Sequence, residues 1–520
     1  MNIVLINPPK SQYDVEELAP PLGLLRLARV AHDLGATVHI EDYNLLWHLD
    51  EQLRSSFYDT ATERLLGLDA DIYGFTSMAV DSHVALELAR RVKTQRPEAF
   101  MVLGGTHFSS IADHIKGAFP WIDQVIRGEG EAAFEELVRD RSGQPRSAPA
   151  TALARPLYDT VRFPAYFHVN PARMVNLEAG RGCRFKCTFC YSPGHYQLVR
   201  DFAIDAVIEE LAMLPALGVR HVWFVEDNFL NDPKRAVSLC AAVEQAHLGL
   251  TWSCYATFPQ LSLPMVTAMA RAGCTELFSG IDAVGTSAER SFHKAFLRGK
   301  TPLEVKTRWM IDAGITPTYA FLLAPPSHPA GANLGVTACA ALEARACGAE
   351  TLLNPLNLYA GTSAQAAYAP TYAADGLQTR LMMDVPYVVA DNPLATMRPE
   401  LFPFHARYVA APEWHAFLTL AHCLSTLINT YPKTLTALNA RGIDPVQVAQ
   451  ATLERFADWS RLTSRERRQF EQDAGFFTLE QLAVGSSVSL VLDSERSSKH
   501  SALVTEGDPG RYTGEETWIR

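Results

Sequence analysis

The sequence predicts an α/β protein with an N-terminal Rossmann-like domain, a partial (β/α)6 barrel and a small, mainly helical C-terminal domain. Three observations carry this prediction. Short apolar strands alternate with amphipathic helices over residues 1–140, a second strand–helix series starts near Met174, and the alternation ends after about Tyr368. Such alternation is typical of parallel sheets covered by helices. A chain of 520 residues also exceeds what one ordinary hydrophobic core organises.

Residues 1–140 form the first predicted domain, in which each strand leads into a polar or glycine-rich turn. Its strands are Ile3–Ile6, Thr37–Ile40, Ile72–Thr76, Phe100–Leu103 and Gln124–Ile126, and its clearest helices are Leu22–Leu34 and Ser82–Lys93. Parallel sheets bind ligands beyond the carboxyl ends of their strands, where paired glycines let the backbone approach a bulky ligand. The candidate binding residues at these ends are Pro8, Pro9, Thr76, Ser77, Met78, Gly104, Gly105, Thr106, His107, Gly128, Glu129, Gly130 and Glu131.

Residues 141–165 are predicted to be a linker, because they include a polar stretch rich in Pro, Arg, Ser and Ala. Residues 166–367 then repeat the strand–helix unit six times, which suits an incomplete (β/α) barrel with its chemistry at the carboxyl strand ends. The predicted strands are Met174–Glu178, His221–Glu226, Thr251–Tyr255, Glu276–Ile281, Thr316–Leu323 and Thr351–Leu358, and the predicted helices include Ile204–Leu217, Arg235–Gln245 and Pro264–Ala272.

The C-terminal part departs from this pattern. Residues 368–488 are predicted to form a helical domain with helices Glu413–Ile428, Pro445–Trp459 and Arg465–Gln481. Residues 489–520, rich in Ser, Gly and charge, are expected to be a flexible tail.

The composition of the chain argues against nucleic-acid-binding, membrane and secreted proteins. A net charge of −11 without a dense Lys/Arg block argues against a nucleic-acid partner. No apolar run reaches the roughly 20 residues that span a bilayer, and the first residues lack the regions of a signal peptide. Six of the nine cysteines are scattered through apolar patterns, as expected of buried small side chains in a reducing compartment. We therefore expect a cytoplasmic protein without a membrane or nucleic-acid partner.

The most informative feature is the loop that follows the first barrel strand. It carries Cys183, Cys187 and Cys190 with the spacing C-x3-C-x2-C, and no fourth cysteine lies nearby. A complete thiolate shell for a [4Fe–4S] cluster uses four cysteines, so three would leave one iron open to a small molecule. Two alternatives remain: zinc with His195 as fourth ligand, because structural zinc takes four ligands, or three unligated thiols.

This motif, with Phe189 before its last cysteine, closely resembles the radical S-adenosylmethionine (SAM) superfamily. The resemblance implies that the three cysteines hold three irons and that the open iron chelates the amino and carboxylate groups of SAM. It places Phe189 and the backbone of Tyr191 on the adenine, Glu226 and Asp227 near the methionine amino group, and Ser279, Gly280 and Asp282 near the ribose. Arg181, Arg184 and Lys186 could tune the cluster potential, or could simply form a solvated loop face.

The N-terminal domain resembles the cobalamin-binding domain that precedes the barrel in one large branch of this superfamily. The matching residues are Gly104–His107, Pro20–Gly23 and Arg127–Glu131. The Asp-x-His-x-x-Gly motif of other cobalamin proteins is missing, since Leu86 stands where Asp81-Ser82-His83 would require glycine. The resemblance therefore implies cobalamin bound without a histidine lower ligand, with His107 as a corrin contact or a structural residue.

The barrel departs from many relatives in two places. They carry an arginine after the third strand and end the fourth in Gly-Ile-Glu-Ser, whereas this chain has Ala256-Thr257-Phe258 and Gly280-Ile281-Asp282-Ala283. Asp282 can still accept hydrogen bonds from ribose hydroxyls. The sequence identifies no residue that would bind the SAM carboxylate, and it does not decide whether SAM is cleaved reductively.

The resemblance implies a cobalamin-dependent radical SAM methyltransferase that moves a methyl group from SAM, via methylcobalamin, to an unactivated carbon or phosphinate of a small-molecule or peptide substrate. An external one-electron reductant of flavodoxin or ferredoxin type would be its partner. Tyr255, at a barrel strand end, is the candidate substrate-side residue, with ordinary packing as the alternative.

Four other functions are alternatives to this one. The same cofactors could support cyclisation, ring contraction or oxidation without methyl transfer, or methylation without reductive cleavage of SAM. A methylthiotransferase acting on RNA would need three more cysteines in its N-terminal domain, and no cysteine precedes Cys183. A non-catalytic role would require the cysteine loop to be vestigial.

Overall fold

The computed structural model describes residues 1–10, 18–143, 154–196, 198–282, 284–294, 301–325, 331–367, 373–374, 394, 398–407 and 411–454. The chain divides into two compact units, residues 1–422 and 423–520. The first unit contains both predicted α/β domains, so the contacts between them can be described directly.

The N-terminal strands form a parallel sheet of order β2-β1-β3-β4-β5, which confirms the predicted architecture. The strands are β1 Asn2–Asn7, β2 Thr37–Asp42, β3 Ile72–Thr76, β4 Phe100–Gly104 and β5 Gln124–Val125. The helices are α1 Leu22–Asp33, α2 Tyr43–Leu49, α3 Glu51–Ser55, α4 Phe57–Gly67, α5 Ser82–Gln95, α6 Thr106–Ala118 and α7 Glu131–Ser142.

Each face of this sheet packs against its own apolar core. Val4 and Ile6 belong to one core, whereas Ile3 and Leu5 belong to the other. Successive side chains of a strand point to opposite faces. A strand covered on both sides is therefore apolar along its covered part, as β1 is from Ile3 to Ile6.

Helices α2, α3 and α4 lie between β2 and β3, where the sequence did not predict helices. Asp42 accepts a hydrogen bond from the Asn44 amide at 3.0 Å and caps α2, and Asp50 accepts one from the Leu53 amide at 3.1 Å and caps α3. Such caps satisfy amide groups that a helix start leaves unpaired, so they determine where these short helices begin.

The six predicted barrel strands all form, and they pair in parallel in the order β13-β12-β11-β10-β9-β6. They are β6 Met174–Leu177, β9 His221–Phe224, β10 Thr251–Tyr255, β11 Cys274–Gly280, β12 Thr316–Leu323 and β13 Glu350–Pro355. The helices of this part are α8 Phe163–Val169, α9 Ser192–His195, α10 Ile204–Met213, α11 Pro233–Ala246, α12 Leu263–Arg271, α13 Thr286–Ser291, α14 Leu303–Asp312, α15 Leu334–Ala346 and α16 Ser363–Ala367.

An antiparallel pair that the sequence did not predict brackets the cysteine loop. It consists of β7 Gly180–Arg181 and β8 Arg200–Asp201. A second short pair, β14 Ala373–Ala374 with β15 Ala406–Arg407, lies later in the same unit. Neither pair was predicted, because strands of two residues give no periodic pattern and these four, unlike β5, do not continue an alternation of strands and helices.

From residue 411 to residue 454 the C-terminal part is helical, with α17 Ala411–Thr430, α18 Pro432–Asn439 and α19 Pro445–Leu453. The strands β14 and β15 lie in its earlier portion, where the sequence predicted no strand. A capping box starts α19, because Asp444 accepts from the Gln447 amide and the Gln447 side chain accepts from the Asp444 amide. The described residues do not include predicted helix Arg465–Gln481, the end of Pro445–Trp459, the tail 489–520 or residues 144–153 of the linker. Among the described residues, no helix combines the length and apolar character needed to cross a bilayer.

Candidate cofactor site

The cysteine loop starts at the carboxyl end of β6, as predicted, and is held by residues on both sides of it. Gly182, just before Cys183, has a φ of 79°, and a Cβ there would lie 3.2 Å from the Leu198 carbonyl oxygen. The buried Asn231 side chain donates to the Gly182 carbonyl at 2.7 Å and accepts from the Arg184 amide at 3.2 Å. The backbone on either side of Cys183 is therefore fixed by the barrel.

The three thiols are half-buried and lie close enough to influence one another electrostatically. Burial raises the pKa of all three thiols, and that of Cys190 to about 12. A coordinating thiol is deprotonated by its metal, so a bound cation would supply the charge that these thiolates need. Three sulfur donors on one loop fit the three protein-ligated corners of a cluster. Among the described residues, no three His, Cys, Asp or Glu side chains are arranged to hold a single metal ion.

Two acidic residues follow β9 and lie beside this loop. Asp227 accepts hydrogen bonds from Ser192 Oγ at 2.8 Å and from Tyr191 Oη at 3.4 Å, and so braces the helix after the cysteines. Glu226 is buried and accepts from the Ala179 amide at 3.3 Å. Burial raises the pKa of Asp227 and raises the pKa of Glu226 to about 8. A neutral, buried Glu226 could ionise against an incoming ammonium group.

Lys294 is a cation that the sequence analysis did not identify. Its buried ammonium group contacts the carboxylate of Asp282, lies 3.2 Å from the Gly280 carbonyl oxygen and sits 5.7 Å from the centre of the Phe189 ring. Burial lowers the pKa of Lys294, while the three cysteines act in the opposite direction. The charge of Lys294 therefore lies where the cysteine loop meets the end of β11. No motif marks this residue, because the contact joins segments that only the fold brings together.

The other predicted barrel residues are tied to the barrel itself. Ser279 Oγ donates to the Ala256 carbonyl at 2.6 Å and is buried. Tyr255 packs against Trp223 and Phe278, with ring centres 5.5 and 5.2 Å apart. Asp282 has a φ of 60°, an uncommon value for a residue other than glycine. This conformation turns its carboxylate toward Lys294.

A cavity of about 180 Å³ lies at the carboxyl ends of the N-terminal strands, where the sequence predicted a bulky ligand. Thr76, Gly104, Gly105 and the segment 128–131 line it. Gly104 has no atom near the position of a Cβ, whereas a Cβ on Gly105 would overlap the Ser77 carbonyl oxygen. The paired glycines thus have different roles: Gly104 leaves open space, and Gly105 permits close approach of two loops.

Six of the predicted cobalamin residues do not line this cavity: Pro8, Pro9, Ser77, Met78, Thr106 and His107. His107 is buried, its ring stacks on Phe402 at 5.6 Å, and burial lowers the pKa of its imidazole to about 3. These contacts support the structural interpretation of His107. Met78 is 43% exposed at the tip of the loop after β3, where its amide donates to Asp81 at 2.7 Å.

Arg181, for which the sequence left open a role beside the cluster or a place on a solvated loop face, is buried. Its guanidinium donates to Glu129 at 2.6 Å, to Glu131 at 2.6 Å and to Glu178 at 2.9 Å. β7 directs this side chain toward the N-terminal domain, a contact that proximity to the cysteines along the chain did not indicate. The same cavity that the glycines line is also bounded by Glu178, Arg181, His195 and Tyr196 from the barrel part.

Two family models match the chain on these two regions. The model described as B12 binding domain matches residues 14–138, and the model described as Radical SAM superfamily matches residues 177–328. This chain joins a B12-binding domain to a radical SAM domain. Its cofactors are cobalamin, SAM and a [4Fe–4S] cluster.

Curated relatives match parts of this two-domain chain. An uncharacterized methyltransferase of Pyrococcus horikoshii is 27% identical over 311 residues, covering 54% of this chain and 66% of the relative. The anaerobic magnesium-protoporphyrin IX monomethyl ester cyclase of Rubrivivax gelatinosus is 25% identical, covering 37% of this chain and 40% of the relative. The chain therefore spans less than two thirds of the length of the curated relatives it matches.

Solved structures match nearly the whole fold. TsrM, a radical SAM methyltransferase of Kitasatospora setae solved with cobalamin and a [4Fe–4S] cluster, is 15% identical with a TM-score of 0.58, covering 94% of this chain and 99% of TsrM. OxsB, a cobalamin-dependent SAM radical enzyme solved with aqua-cobalamin, is 12% identical with a TM-score of 0.57, covering 96% of this chain and 83% of OxsB. At such identity the likeness shows the fold alone.

Proposed function

We propose that this chain is a methyltransferase that moves a methyl group from SAM, through cobalamin, to an unactivated carbon or phosphinate centre of a small-molecule or peptide substrate. The observation that carries the proposal is the common boundary of the two sites. A single cavity is lined by the strand-end glycines of the B12-binding domain and by Glu178, Arg181 and His195 of the barrel part. Cobalamin, which would carry the methyl group, and SAM at the cluster, which would generate the radical, must both reach one substrate. A cavity that both domains line would place the two cofactors side by side.

The cysteine loop would hold the cluster through Cys183, Cys187 and Cys190. When bound, the cofactors supply methyl-group transfer and one-electron chemistry, with the electron coming from an external reductant of flavodoxin or ferredoxin type. The protein holds the cysteine loop, and with it the cluster, in position. Asn231 fixes the backbone around Cys183, and Asp227 fixes the start of α9 after Cys190 through Tyr191 and Ser192.

The residues around Lys294 form the proposed pocket for SAM. The Lys294 ammonium would bind the SAM carboxylate, for which the sequence offered no partner, because it is a buried cation at the edge of the cysteine loop. Glu226 and Asp227 would accept from the SAM ammonium, and Asp282 would accept from ribose hydroxyls. Phe189, whose ring packs edge-on against Phe292 at 5.2 Å, would cover the adenine.

In the N-terminal domain, Gly104, Gly128 and Gly130 would let the corrin ring approach the backbone, while Gly105 would keep the loop after β3 close to the start of α6. Thr76 and the loop after β3 would lie beneath the corrin ring without a histidine ligand to cobalt. Tyr255 stays a packing residue in this proposal, and no side chain is assigned an acid–base role. The substrate would enter between the corrin and the barrel mouth.

Isotope tracing tests this function. Full-length protein reconstituted without oxygen, loaded with cobalamin and supplied with reductant, is incubated with methyl-labelled SAM and candidate substrates. Methyl transfer places the label in the product and forms S-adenosylhomocysteine, and 5′-deoxyadenosine in the same reaction reports reductive cleavage. Product formed without label would instead indicate cyclisation, ring contraction or oxidation. The matched control is Cys187→Ser, which removes one proposed iron ligand and should abolish both nucleoside products.

A further inference from the structure

Arg181 is a buried cation shared by the two domains. Its side chain is 6% exposed, and Nη1 and Nη2 donate to Glu129 and Glu131 of the B12-binding domain at 2.6 Å each. Nη2 also donates to Glu178, at the end of β6, at 2.9 Å. Arginine suits such a position because its planar guanidinium group can donate hydrogen bonds to several carboxylate oxygens at once. One side chain therefore ties the last loop of the N-terminal sheet to the first loop of the barrel.

The backbone between Arg181 and Cys183 leaves little freedom for this side chain to move alone. A Cβ on Gly180 would lie 2.9 Å from the Arg200 carbonyl oxygen, so β7 packs tightly on β8. Gly182 has a φ of 79° and is held by Asn231. A displacement of the Arg181 backbone must therefore be carried by the segment that positions Cys183.

The carboxylates that Arg181 binds also bound the cavity. Glu129, Glu131 and Glu178 line it together with Arg181. Burial alone would raise the pKa of Glu131, but the hydrogen bonds and charge of Arg181 hold it below its usual value. A ligand that fills the cavity must fit against this charged wall, and the wall is continuous with the cysteine loop.

Two further arginines, Arg26 and Arg200, pair with the carboxylates of this wall. Glu178 also lies 3.4 Å from the fully buried guanidinium of Arg26, and Glu129 also contacts Arg200. Arg200 differs from Arg181 in being 47% exposed. Because a desolvated carboxylate without a partner is strongly disfavoured, Glu129, Glu131 and Arg181 are expected to move together.

We propose that Arg181 is a positioning residue that couples the two cofactor sites, so that cobalamin in the cavity and SAM at the cysteine loop change each other's affinity. The inference rests on the proposed function, because it takes cobalamin to occupy the cavity and SAM to bind at the cluster. Coupling of this kind is reciprocal: cobalamin must change SAM affinity by the same factor as SAM changes cobalamin affinity.

The test uses full-length, cluster-reconstituted protein with and without hydroxocobalamin. The SAM dissociation constant is measured by titration of the reduced-cluster EPR signal in both states, and the ratio of the two constants is the readout. Three variants are compared with the wild type. Arg181→Gln removes the guanidinium group, and Arg181→Lys keeps the positive charge without the guanidinium geometry. Glu131→Gln weakens the contact between Arg181 and residue 131 and changes no residue of the cysteine loop. Arg200→Gln is the matched control, because Arg200 also contacts Glu129 but is solvent-exposed.

We expect the wild type and Arg200→Gln to show a ratio of at least about 5, the lower end of ordinary coupling. The ratio should fall to about 1 in Arg181→Gln and Glu131→Gln and to an intermediate value in Arg181→Lys, with iron content preserved. A purely structural role would lower stability in the variants and leave the ratio unchanged.

Three results would overturn the inference. They are a wild-type ratio of about 1, an unchanged ratio in Glu131→Gln, or an unchanged ratio in whichever Arg181 variant retains its cluster. If the wild type binds both cofactors without coupling, only this inference fails. If it binds no cobalamin or assembles no cluster, the proposed function fails with it.

Discussion

Asn231 holds Gly182 in place: its side-chain amide donates to the Gly182 carbonyl at 2.7 Å, while its oxygen accepts from the Arg184 amide at 3.2 Å. Asn231 is 4% exposed and lies beyond β9, nearly 50 positions from the cysteine loop along the chain. A residue of the second strand–helix connection therefore determines the backbone path through Cys183.

The first prediction follows from this contact. Asn231→Ala leaves two backbone groups without partners, which costs about 1–3 kcal/mol for each buried group. The loop should hold its cluster less firmly, and iron should be lost to a chelator on the order of ten-fold faster. Iron content and the rate of chelation check this outcome. Gln245→Ala, at an exposed position of α11, is the control, and equal chelation rates for the two variants would contradict the assigned role of Asn231.

The second prediction concerns Lys294. Lys294→Met removes the proposed partner of the SAM carboxylate, and a hydrogen bond to a charged group contributes about 1.5–3 kcal/mol. The dissociation constant for SAM should rise by roughly 10- to 100-fold, with the iron content unchanged, as measured by EPR titration.

Lys306 offers a matched control for this experiment. It is also buried in the barrel, but its ammonium group donates to the Phe258 carbonyl at 2.9 Å and to the Pro259 carbonyl at 3.2 Å. Lys306→Met should leave SAM affinity close to that of the wild type. If SAM affinity is unaffected in Lys294→Met, the carboxylate is bound elsewhere.

The third prediction separates two adjacent glycines. A Cβ on Gly104 meets open space at the cavity, so Gly104→Ala should keep or raise stability by up to about 1 kcal/mol while weakening cobalamin binding. Gly105 has a φ of 99°, and its Cβ would lie 2.8 Å from the Ser77 nitrogen. Gly105→Ala should therefore destabilise the domain by about 1–3 kcal/mol.

Chemical denaturation and cobalamin absorbance spectra measure the two effects of these substitutions. Gly117→Ala, which adds a methyl group in open space away from the cavity, controls for the general effect of the added methyl group. The assignment of the cavity would be contradicted if Gly104→Ala bound cobalamin as tightly as the wild type.

The fourth prediction is a pH dependence of stability. Burial raises the pKa of Glu226 to about 8, whereas a glutamate in an unfolded chain titrates near about 4.3. The folded state therefore binds this proton more tightly, and the unfolding free energy falls as pH rises between these two values. Each pH unit in this range changes the unfolding free energy by about 1.4 kcal/mol. The unfolding free energy of Glu226→Gln should therefore rise by about 2 kcal/mol relative to that of the wild type between pH 6 and pH 8.

Urea unfolding of the protein before cluster assembly, at both pH values, measures this difference. Glu178→Gln is not a suitable control because Glu178 pairs with Arg181 and Arg26. Glu63→Gln, at an exposed position of α4, should show the same pH dependence as the wild type. A constant difference between Glu226→Gln and the wild type at pH 6 and pH 8 would mean that Glu226 is ionised in the folded protein.

The sequence predicted the strands well because a buried parallel strand has a local pattern that needs no knowledge of its partners. All the predicted strands of both domains formed, with ends shifted by at most a few residues. The cysteine loop was predicted for a similar reason, since its three ligands lie within eight residues. Both family matches fall on regions that the sequence had assigned to these cofactors.

The residues that position the site could not be predicted, because their partners are distant along the chain. Arg181 lies about 50 positions from Glu129 and Glu131, and Lys294 follows Asp282 through a segment without a periodic pattern. Neighbouring cations along the chain suggested a cluster role for Arg181, whereas the two-residue strand β7 directs it to another domain. Side-chain direction at such positions is decided by tertiary packing.

The most direct test of the central claim is EPR spectroscopy of the oxygen-free, cobalamin-loaded full chain, reduced and titrated with SAM, with metals counted on the same sample. We predict about four irons per chain and a reduced-cluster signal that changes when SAM binds to the open iron, together with bound cobalt. Zinc or no metal at the cysteine loop, or a cluster signal that does not respond to SAM, would contradict the account.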